Sequence, residues 1–200
     1  MEAGNRHIRL FNRIAHPYSW FFAFQMRGYA RCFEQGRSLL GDARGKSALD
    51  LGCGTGAFTA TLRNEGWDVR GIDAAERMVE QAKKRGLPCS VGDILAGTPY
   101  ADKSFDLVSA AYVAHGLAGE NRHRLFREAK RLSRGLVLFH DYAPDEQNPK
   151  RDILTSAIEY AEGGDYFNFI KTAMEELRSH FSEVRVAGMG KQAAWYVCRP

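Results

Sequence analysis

The sequence predicts an α/β protein with a doubly wound, mostly parallel sheet, and two observations lead to this fold class. Apolar segments typical of strands (47–51, 69–73, 89–91, 105–110 and 135–140) alternate with helical patterns (57–65, 75–85 and 119–133). The first strand also runs into a turn with three glycines at alternate positions, and a helical pattern follows that turn. Strands that alternate with helices in this way favour a parallel sheet, because each helix returns the chain to the same end of the sheet.

The turn after the first strand reads Leu49-Asp50-Leu51-Gly52-Cys53-Gly54-Thr55-Gly56. Glycine is favoured there because a sharp bend needs positive φ angles and because a ligand can then approach the main chain. The following helix presents its first N–H groups and its positive dipole end to the turn. We therefore predict that Gly52, Cys53, Gly54 and Gly56 bind a nucleotide-like cofactor. The same spacing also satisfies the pattern of dinucleotide-binding folds, so the turn alone leaves the cofactor undecided.

Three acidic residues at strand ends narrow the choice of cofactor. Asp73 ends the second strand, where a carboxylate suits the two hydroxyls of a ribose. Asp93 follows the third strand and is expected to accept from the amine of an adenine, with Ile94 packed on the ring; a capping or turn-forming role is the alternative. Asp50, beside the glycine turn, is predicted to meet an ammonium group. A ligand that carries an amino acid, a ribose and an adenine along three strand ends is S-adenosylmethionine.

These motifs occur together and in a fixed order between residues 45 and 142. They are Asp50–Gly56, Gly71–Asp73, Gly92–Ile94 and Ser104–Ser109. In this combination the sequence resembles a class I S-adenosylmethionine-dependent methyltransferase. The resemblance implies a Rossmann-like core, an antiparallel final strand and S-adenosylhomocysteine (SAH) as the product left by the cofactor. It also implies cofactor contacts from Ala74 and Met78 after the second strand and from Ala110 on the fourth.

The composition is consistent with one catalytic domain and excludes several other classes. Hydrophobic residues make up 44% of the chain, yet no stretch approaches the roughly eighteen apolar residues of a membrane span. The arginines near the N-terminus are not followed by the apolar core of a secretory signal, so we expect a cytoplasmic protein. The four cysteines form no C-x-x-C pair, which argues against a metal site and a disulfide framework. A net charge of +4 is too small to indicate nucleic-acid binding.

We expect a single methyltransferase domain over residues 1–200. Its predicted parts are an N-terminal helical lid (1–45), the cofactor-binding core (46–148), a helical insertion (149–181) and a terminal strand pair (182–200). The N-terminal helix is expected to break at Ile14–Tyr18, and the insertion at Gly163-Gly164.

Both helical appendages are rich in aromatic residues. They contain the run Tyr18–Phe24 and, in the insertion, Tyr160, Tyr166, Phe167 and Phe169. Core packing is the plainer interpretation. The alternative is a lid that encloses an aromatic or apolar substrate and excludes water, which would make Tyr18, Tyr166 and Phe167 substrate-binding residues. Tyr112, in the loop after the fourth strand, is a further candidate for substrate binding.

Candidate catalytic residues follow the fourth and fifth strands, because ligands in such sheets bind at the carboxyl ends of the strands. His140 and Asp141 end the fifth strand, and His115 follows the fourth. His140 is a candidate general base, since an imidazole titrates near neutral pH. The alternative is that one residue of the His140-Asp141 pair points into the flanking helices while the other caps the turn.

The function that the sequence favours is methyl transfer from S-adenosylmethionine to a small molecule (EC 2.1.1.-). The Asn/Asp-Pro-Pro-Tyr signature of base amino-methylation is absent after the fourth strand, so no nucleic-acid substrate is expected. The segment Phe11–Tyr18 resembles the start of quinone-biosynthesis methyltransferases, which suits an aromatic or apolar acceptor. A non-catalytic S-adenosylmethionine-binding protein and an NAD-dependent oxidoreductase are the alternatives. We expect no stable membrane insertion, and a homodimer is left as an option.

Overall fold

The computed structural model describes residues 2–145 and 164–200, with side chains from residue 8 onward. The helices are α1 (Glu2–Ser19), α2 (Phe22–Leu40), α3 (Ala57–Asn64), α4 (Glu76–Lys84), α5 (Glu120–Leu132) and α6 (Tyr166–His180). The strands are β1 (Ser47–Leu51), β2 (Asp68–Asp73), β3 (Cys89–Val91), β4 (Phe105–Ala111), β5 (Ser133–Tyr142), β6 (Glu183–Met189) and β7 (Ala193–Arg199). The part of the predicted insertion over residues 149–163, with Tyr160 and Gly163, lies outside the described residues.

The strands form one sheet of order β3-β2-β1-β4-β5-β7-β6. β1 to β5 are parallel, whereas β7 lies between β5 and β6 and is antiparallel to both. This arrangement confirms the predicted mostly parallel sheet with an antiparallel final strand. In its register Asp50 of β1 lies between Gly71 of β2 and Ser109 of β4, so the carboxyl ends of these strands meet beside the glycine turn.

Helices cover both faces of the sheet, and the side chains of β7 pack against the helices on each face. Trp195 packs toward α2 and α3, while Tyr196 packs toward α5 and α6, because successive strand residues point to opposite faces. Gly36 lets α2 approach closely, since a Cβ at this position would lie 2.6 Å from the Trp195 ring. The resulting core holds α2 in a fixed position over β7.

The N-terminal helix does not break where the sequence predicted. α1 continues through Ile14–Tyr18 to Ser19, and the change of direction comes at Trp20 and Phe21. Pro17 lies in the last turn of α1, where its ring fixes a helical φ and its missing N–H removes one hydrogen bond to the preceding turn. Ala15 of α1 is buried together with Met78 of α4, so α1 lies against α4. No helix among the described residues is long and apolar enough to cross a membrane.

Candidate active site

The three glycines of the turn between β1 and α3 have different structural roles. Gly52, Gly54 and Gly56 all adopt positive φ angles, of 72°, 52° and 86°. A Cβ on Gly52 would lie 2.6 Å from Val113, and one on Gly56 would overlap Leu87. At Gly54 a Cβ would meet no atom within 4 Å. The first and third glycines are thus required for packing, whereas the middle one borders open space that a ligand can occupy.

The glycine turn permits a test that separates these roles. Gly56→Ala is expected to lower the free energy of unfolding by about 2–4 kcal/mol, because it combines a strained φ with overpacking against Leu87. Gly54→Ala should fold with a smaller loss of about 1–2 kcal/mol from its left-handed φ, yet bind SAH more weakly because the methyl group enters the open space. Denaturant unfolding and calorimetric titration measure the two quantities. Unchanged SAH affinity in Gly54→Ala would place the cofactor elsewhere.

Asp73 links the end of β2 to the glycine turn. Its Oδ2 accepts a hydrogen bond from the Gly54 N–H at 2.8 Å, and its Oδ1 accepts one from the Ala75 N–H at 2.7 Å. The side chain is half-buried, and burial raises the pKa of this carboxyl from its ordinary value. A carboxylate offers about four acceptor positions, so two stay available for the vicinal hydroxyls of a ribose beside Gly54. The arrangement therefore fits the predicted ribose contact.

Asp50 differs from its predicted role. Its carboxylate is 1% exposed, and it accepts hydrogen bonds from the hydroxyls of Thr59 at 2.7 Å and Ser109 at 3.1 Å. A group so buried does not reach a ligand ammonium, and the predicted contact is therefore wrong for this arrangement. Through these two hydrogen bonds Asp50 instead links β1 to α3 and β4 beside the glycine turn. Sequence reasoning missed Thr59 and Ser109, whose only signal is that they are hydroxyl residues on otherwise apolar segments.

Asp50 is expected to make stability depend on pH. Burial raises its pKa from 3.8 to about 7, so the folded state retains a proton that the unfolded state has already lost. The stabilising contribution is complete below pH 4 and declines by about 1.4 kcal/mol per pH unit until pH 7. The free energy of unfolding of Asp50→Asn should not show this decline, because the amide is neutral at every pH, like the protonated acid. Thermal unfolding of both proteins from pH 5 to 8 should show the variant gaining relative stability as the pH rises; parallel curves would contradict the assignment.

The remaining predicted cofactor residues fall into two groups. Ala74 is partly exposed next to Asp73, and Asp93 is exposed, with Oδ1 accepting from the Leu95 N–H at 2.8 Å. That bond is the turn-forming role named as the alternative for Asp93, and the carboxylate still lies at the surface where an adenine amine can reach it. Ile94 is partly buried against the core. The adenine contacts of Asp93 and Ile94 stay predictions.

Met78 and Ala110 are each 1% exposed, so the predicted cofactor contacts of their side chains are wrong for this arrangement. Met78 is covered by Ala15 of α1, and Ala110 faces the core between the sheet and the α5–α6 layer. Cys53 is also buried, at 6% exposure, with its side chain packed over Gly71. A cofactor contact from Cys53 would therefore involve its main chain.

The structure brings two of the three predicted catalytic residues together. His115 Nδ1 lies 2.7 Å from Asp141 Oδ1, at the carboxyl ends of β4 and β5. Asp141 is fully buried, and its Oδ2 also accepts from the N–H groups of Ala114 at 3.0 Å and His115 at 3.3 Å. These bonds fix the carboxylate, which in turn fixes the imidazole ring with Nδ1 as the donor. His115 is itself buried, at 7% exposure, and with Nδ1 as the donor its Nε2 is the basic nitrogen of the pair.

The position of His140 does not fit the predicted role of general base. It is 2% exposed, and its Nδ1 accepts a hydrogen bond from the Trp195 indole N–H at 2.9 Å. The Tyr29 and Phe58 rings pack against it, with ring centroids 5.2 and 5.9 Å away. Burial lowers the pKa of His140 to about 4, so it stays neutral and structural. Of the two outcomes considered for His140 and Asp141, the histidine points into the flanking helices and the carboxylate holds the turn after β4.

Aromatic residues surround the His115–Asp141 pair. The Tyr142 ring centroid lies 4.9 Å from His115, 5.3 Å from Tyr112 and 4.7 Å from Tyr166. Tyr112 has a positive φ of 55°, which is unusual for a bulky residue and holds its half-exposed ring beside the pair. Phe167 contacts Tyr166 at 5.1 Å and is 46% exposed. The predicted substrate residues Tyr112, Tyr166 and Phe167 therefore lie in one aromatic group with Tyr142, which sequence reasoning missed. Tyr166 is 3% exposed, so its ring packs in the core and supports Tyr142.

Tyr18 lies on the α1 side of the site. Its hydroxyl accepts a hydrogen bond from the Gln25 side-chain amide at 2.7 Å, and its ring packs on Phe11. Burial and then the neighbouring phenols of Tyr18 and Tyr112 raise the pKa of Tyr29 well above its ordinary value. The ring of Tyr29 of α2 packs against Phe58 and His140, with ring centroids 5.0 and 5.2 Å away. A separate cavity of about 450 Å³ is lined by Phe33 and Trp67. It lies where β1 and β2 begin, at the end of the sheet opposite the His115–Asp141 pair.

Comparison with known proteins shows similarity to methyltransferases. Residues 49–139 match the family model described as a methyltransferase domain. A demethylmenaquinone methyltransferase of Tropheryma whipplei is 33% identical over 110 residues, which cover 50% of this chain and 44% of that protein. A malonyl-[acyl-carrier protein] O-methyltransferase of Erwinia pyrifoliae is 33% identical over 97 residues, covering 48% of this chain and 36% of that protein. The matches thus span less than half the length of these curated relatives.

Solved structures resemble the chain over most of its length. DhpI in complex with SAH superimposes with a TM-score of 0.72 at 19% identity, covering 98% of this chain and 96% of that one. Magnesium protoporphyrin IX methyltransferase of Synechocystis PCC 6803, with bound SAH, gives a TM-score of 0.59 at 17% identity, covering 86% and 84%. The chain has the fold of class I S-adenosylmethionine-dependent methyltransferases. The resemblance to a methyltransferase that the sequence predicted is confirmed by the family match over residues 49–139.

Proposed function

We propose that this protein transfers the methyl group of S-adenosylmethionine to a hydroxyl of a small aromatic or apolar molecule. The open space beside Gly54 and the half-buried carboxylate of Asp73 support the choice of S-adenosylmethionine, because they fit its ribose. The sheet order argues against the NAD alternative, because dinucleotide-binding sheets continue as 3-2-1-4-5-6 without an antiparallel strand inserted between the last two.

The observation that carries the choice of acceptor is the 2.7 Å contact between His115 Nδ1 and Asp141 Oδ1. S-adenosylmethionine supplies a methyl group on a sulfonium sulfur, and the sulfur keeps the bonding electrons when the methyl group leaves. A hydroxyl acceptor must lose its proton to act as a nucleophile. His115 Nε2 takes this proton, and the buried carboxylate of Asp141 stabilises the imidazolium that forms. Alignment of the acceptor oxygen with the methyl group and the sulfur contributes further to the rate enhancement.

The residues around the His115–Asp141 pair indicate which kind of acceptor binds there. Tyr112 and Tyr142 have edge-to-face ring contacts with His115. The buried Tyr166 ring packs against Tyr142, and the exposed Phe167 packs against Tyr166. Aromatic walls bind a planar or apolar ligand by offset-stacked and edge-to-face contacts and exclude water from the reacting atoms. The acceptor we propose is therefore a phenol or a similarly apolar alcohol.

A screen of methyl acceptors tests this proposal. Purified protein is incubated with S-adenosylmethionine and matched pairs of phenols, anilines and aromatic carboxylates, and SAH release and methylated product are measured. We expect turnover with phenols, and a lower KM for larger aromatic ones. Turnover of anilines alone would overturn the O-methylation proposal. Binding of SAH without turnover of any acceptor class would favour the non-catalytic alternative.

A further inference from the structure

The corner between α1 and α2 exposes three large aromatic side chains. Trp20 is 76% exposed, Phe24 75% and Phe21 59%, so each leaves most of its surface outside the core. They lie within five residues of one another along the chain, at the change of direction. Clustered exposed apolar side chains of this kind mark a surface that another apolar phase covers.

The corner is held in place from below. The Trp20 N–H donates to the Pro17 carbonyl at 3.2 Å, and the Phe21 N–H donates to the Tyr18 carbonyl at 3.1 Å. Arg85 of α4 donates to the Ser19 carbonyl at 3.0 Å, and its guanidinium lies 4.4 Å from the Phe22 ring. Phe22 therefore packs inward, and the other aromatic rings are presented on a fixed support.

Arginines flank the aromatic group on both helices. Arg27 and Arg31 follow Phe24 by three and seven residues and share its exposed face of α2, at about 5 and 10 Å along the axis. Arg9 and Arg13 precede Trp20 on the exposed side of α1. None of these four arginines forms an ion pair with a described residue. The sequence between Glu2 and Glu34 contains no acidic residue.

We propose that this corner docks on a bilayer surface that carries anionic phospholipids. Tryptophan and phenylalanine at the tip enter the boundary between headgroups and acyl chains, and arginines at the sides pair with lipid phosphates. A second copy of this chain is a poorer partner, because a twofold contact through the corner would set arginines against arginines with no acidic residue of this segment to pair with them. The docking is peripheral and independent of the methyl acceptor.

Tryptophan fluorescence tests the docking directly. Trp67 and Trp195 are buried, at 5% and 0% exposure, so Trp20 dominates the response of the three tryptophans to an added surface. We expect a blue shift with vesicles of phosphatidylcholine and phosphatidylglycerol, quenching by brominated lipids, and much weaker responses with phosphatidylcholine alone. Trp20→Phe should lose the shift and still sediment with the vesicles. An unchanged spectrum at saturating lipid would overturn the proposal.

Variants separate the two contributions to docking. Each of Arg27→Gln and Arg31→Gln should lower vesicle partitioning about fivefold, an effect that disappears at high salt. Phe24→Ser should lower it at every salt concentration, with unchanged circular dichroism because the ring is exposed. Val91→Ser and Arg44→Gln, which alter exposed residues on other elements, are the matched controls. Equal losses in controls and test variants would overturn the proposal, as would vesicle-independent dimerisation or RNA binding that Phe24→Ser abolishes.

Discussion

Replacing Asp73 by asparagine is expected to weaken SAH binding by about 100-fold or more. The carboxylate holds the Gly54 N–H and the Ala75 N–H and faces the space where the two ribose hydroxyls are proposed to bind. Asparagine keeps one uncharged acceptor oxygen and has an NH2 group in place of the other, so one charge-assisted hydrogen bond is lost and the other is weakened. At about 1.5–3 kcal/mol for a hydrogen bond to a charged group, this accounts for the factor. Calorimetric titration of both proteins with SAH measures the change.

The matched control is Asp68→Asn, at the opposite end of the same strand. Asp68 is exposed and begins β2, so its substitution should leave SAH affinity unchanged. Thermal unfolding of both variants shows whether the glycine turn has lost its structure. If Asp73→Asn is folded and binds SAH like the wild type, the ribose assignment is wrong.

The second large effect is expected at the His115–Asp141 pair. His115→Gln should lower kcat for a phenolic acceptor by about 10²–10⁴-fold, the usual contribution of a general base, with little change in SAH affinity. Asp141→Asn should also lower kcat, since the amide cannot stabilise an imidazolium as the carboxylate does. His123→Gln is the control, because this half-buried histidine lies on α5 and its ring contacts His180 instead.

The pH dependence distinguishes a catalytic from a structural role for His115. A general base makes kcat/KM rise with pH through one titration, and His115→Gln should remove that rise as well as lower the rate. A structural histidine would change stability and SAH affinity together and leave the shape of the profile unaltered. Wild-type turnover by His115→Gln would contradict the proposed mechanism.

The features predicted correctly from the sequence are those with local signals. The glycine turn, the acid that ends β2 and the alternation of strands with helices each lie within one short segment, and the parallel sheet follows from them. The pairing of His115 with Asp141 had no such signal, since the two residues are 26 positions apart and meet only when β4 and β5 are adjacent.

The errors have an equally physical origin. His140 and Asp141 are neighbours in one strand, so their side chains point to opposite faces, and the sequence does not say which face holds the site. Met78 was expected at the cofactor because nothing in α4 shows that Ala15 of α1 will cover it. Asp50 was expected to meet a ligand because its hydroxyl partners, Thr59 and Ser109, come from other elements.

One titration decides whether this chain binds S-adenosylmethionine. The wild-type protein is titrated calorimetrically with S-adenosylmethionine, SAH and NAD under the same conditions. We expect binding of the first two in the micromolar range, competition between them for one site, and no heat from NAD. Binding of NAD alone, or no binding of SAH by folded protein, would contradict this expectation.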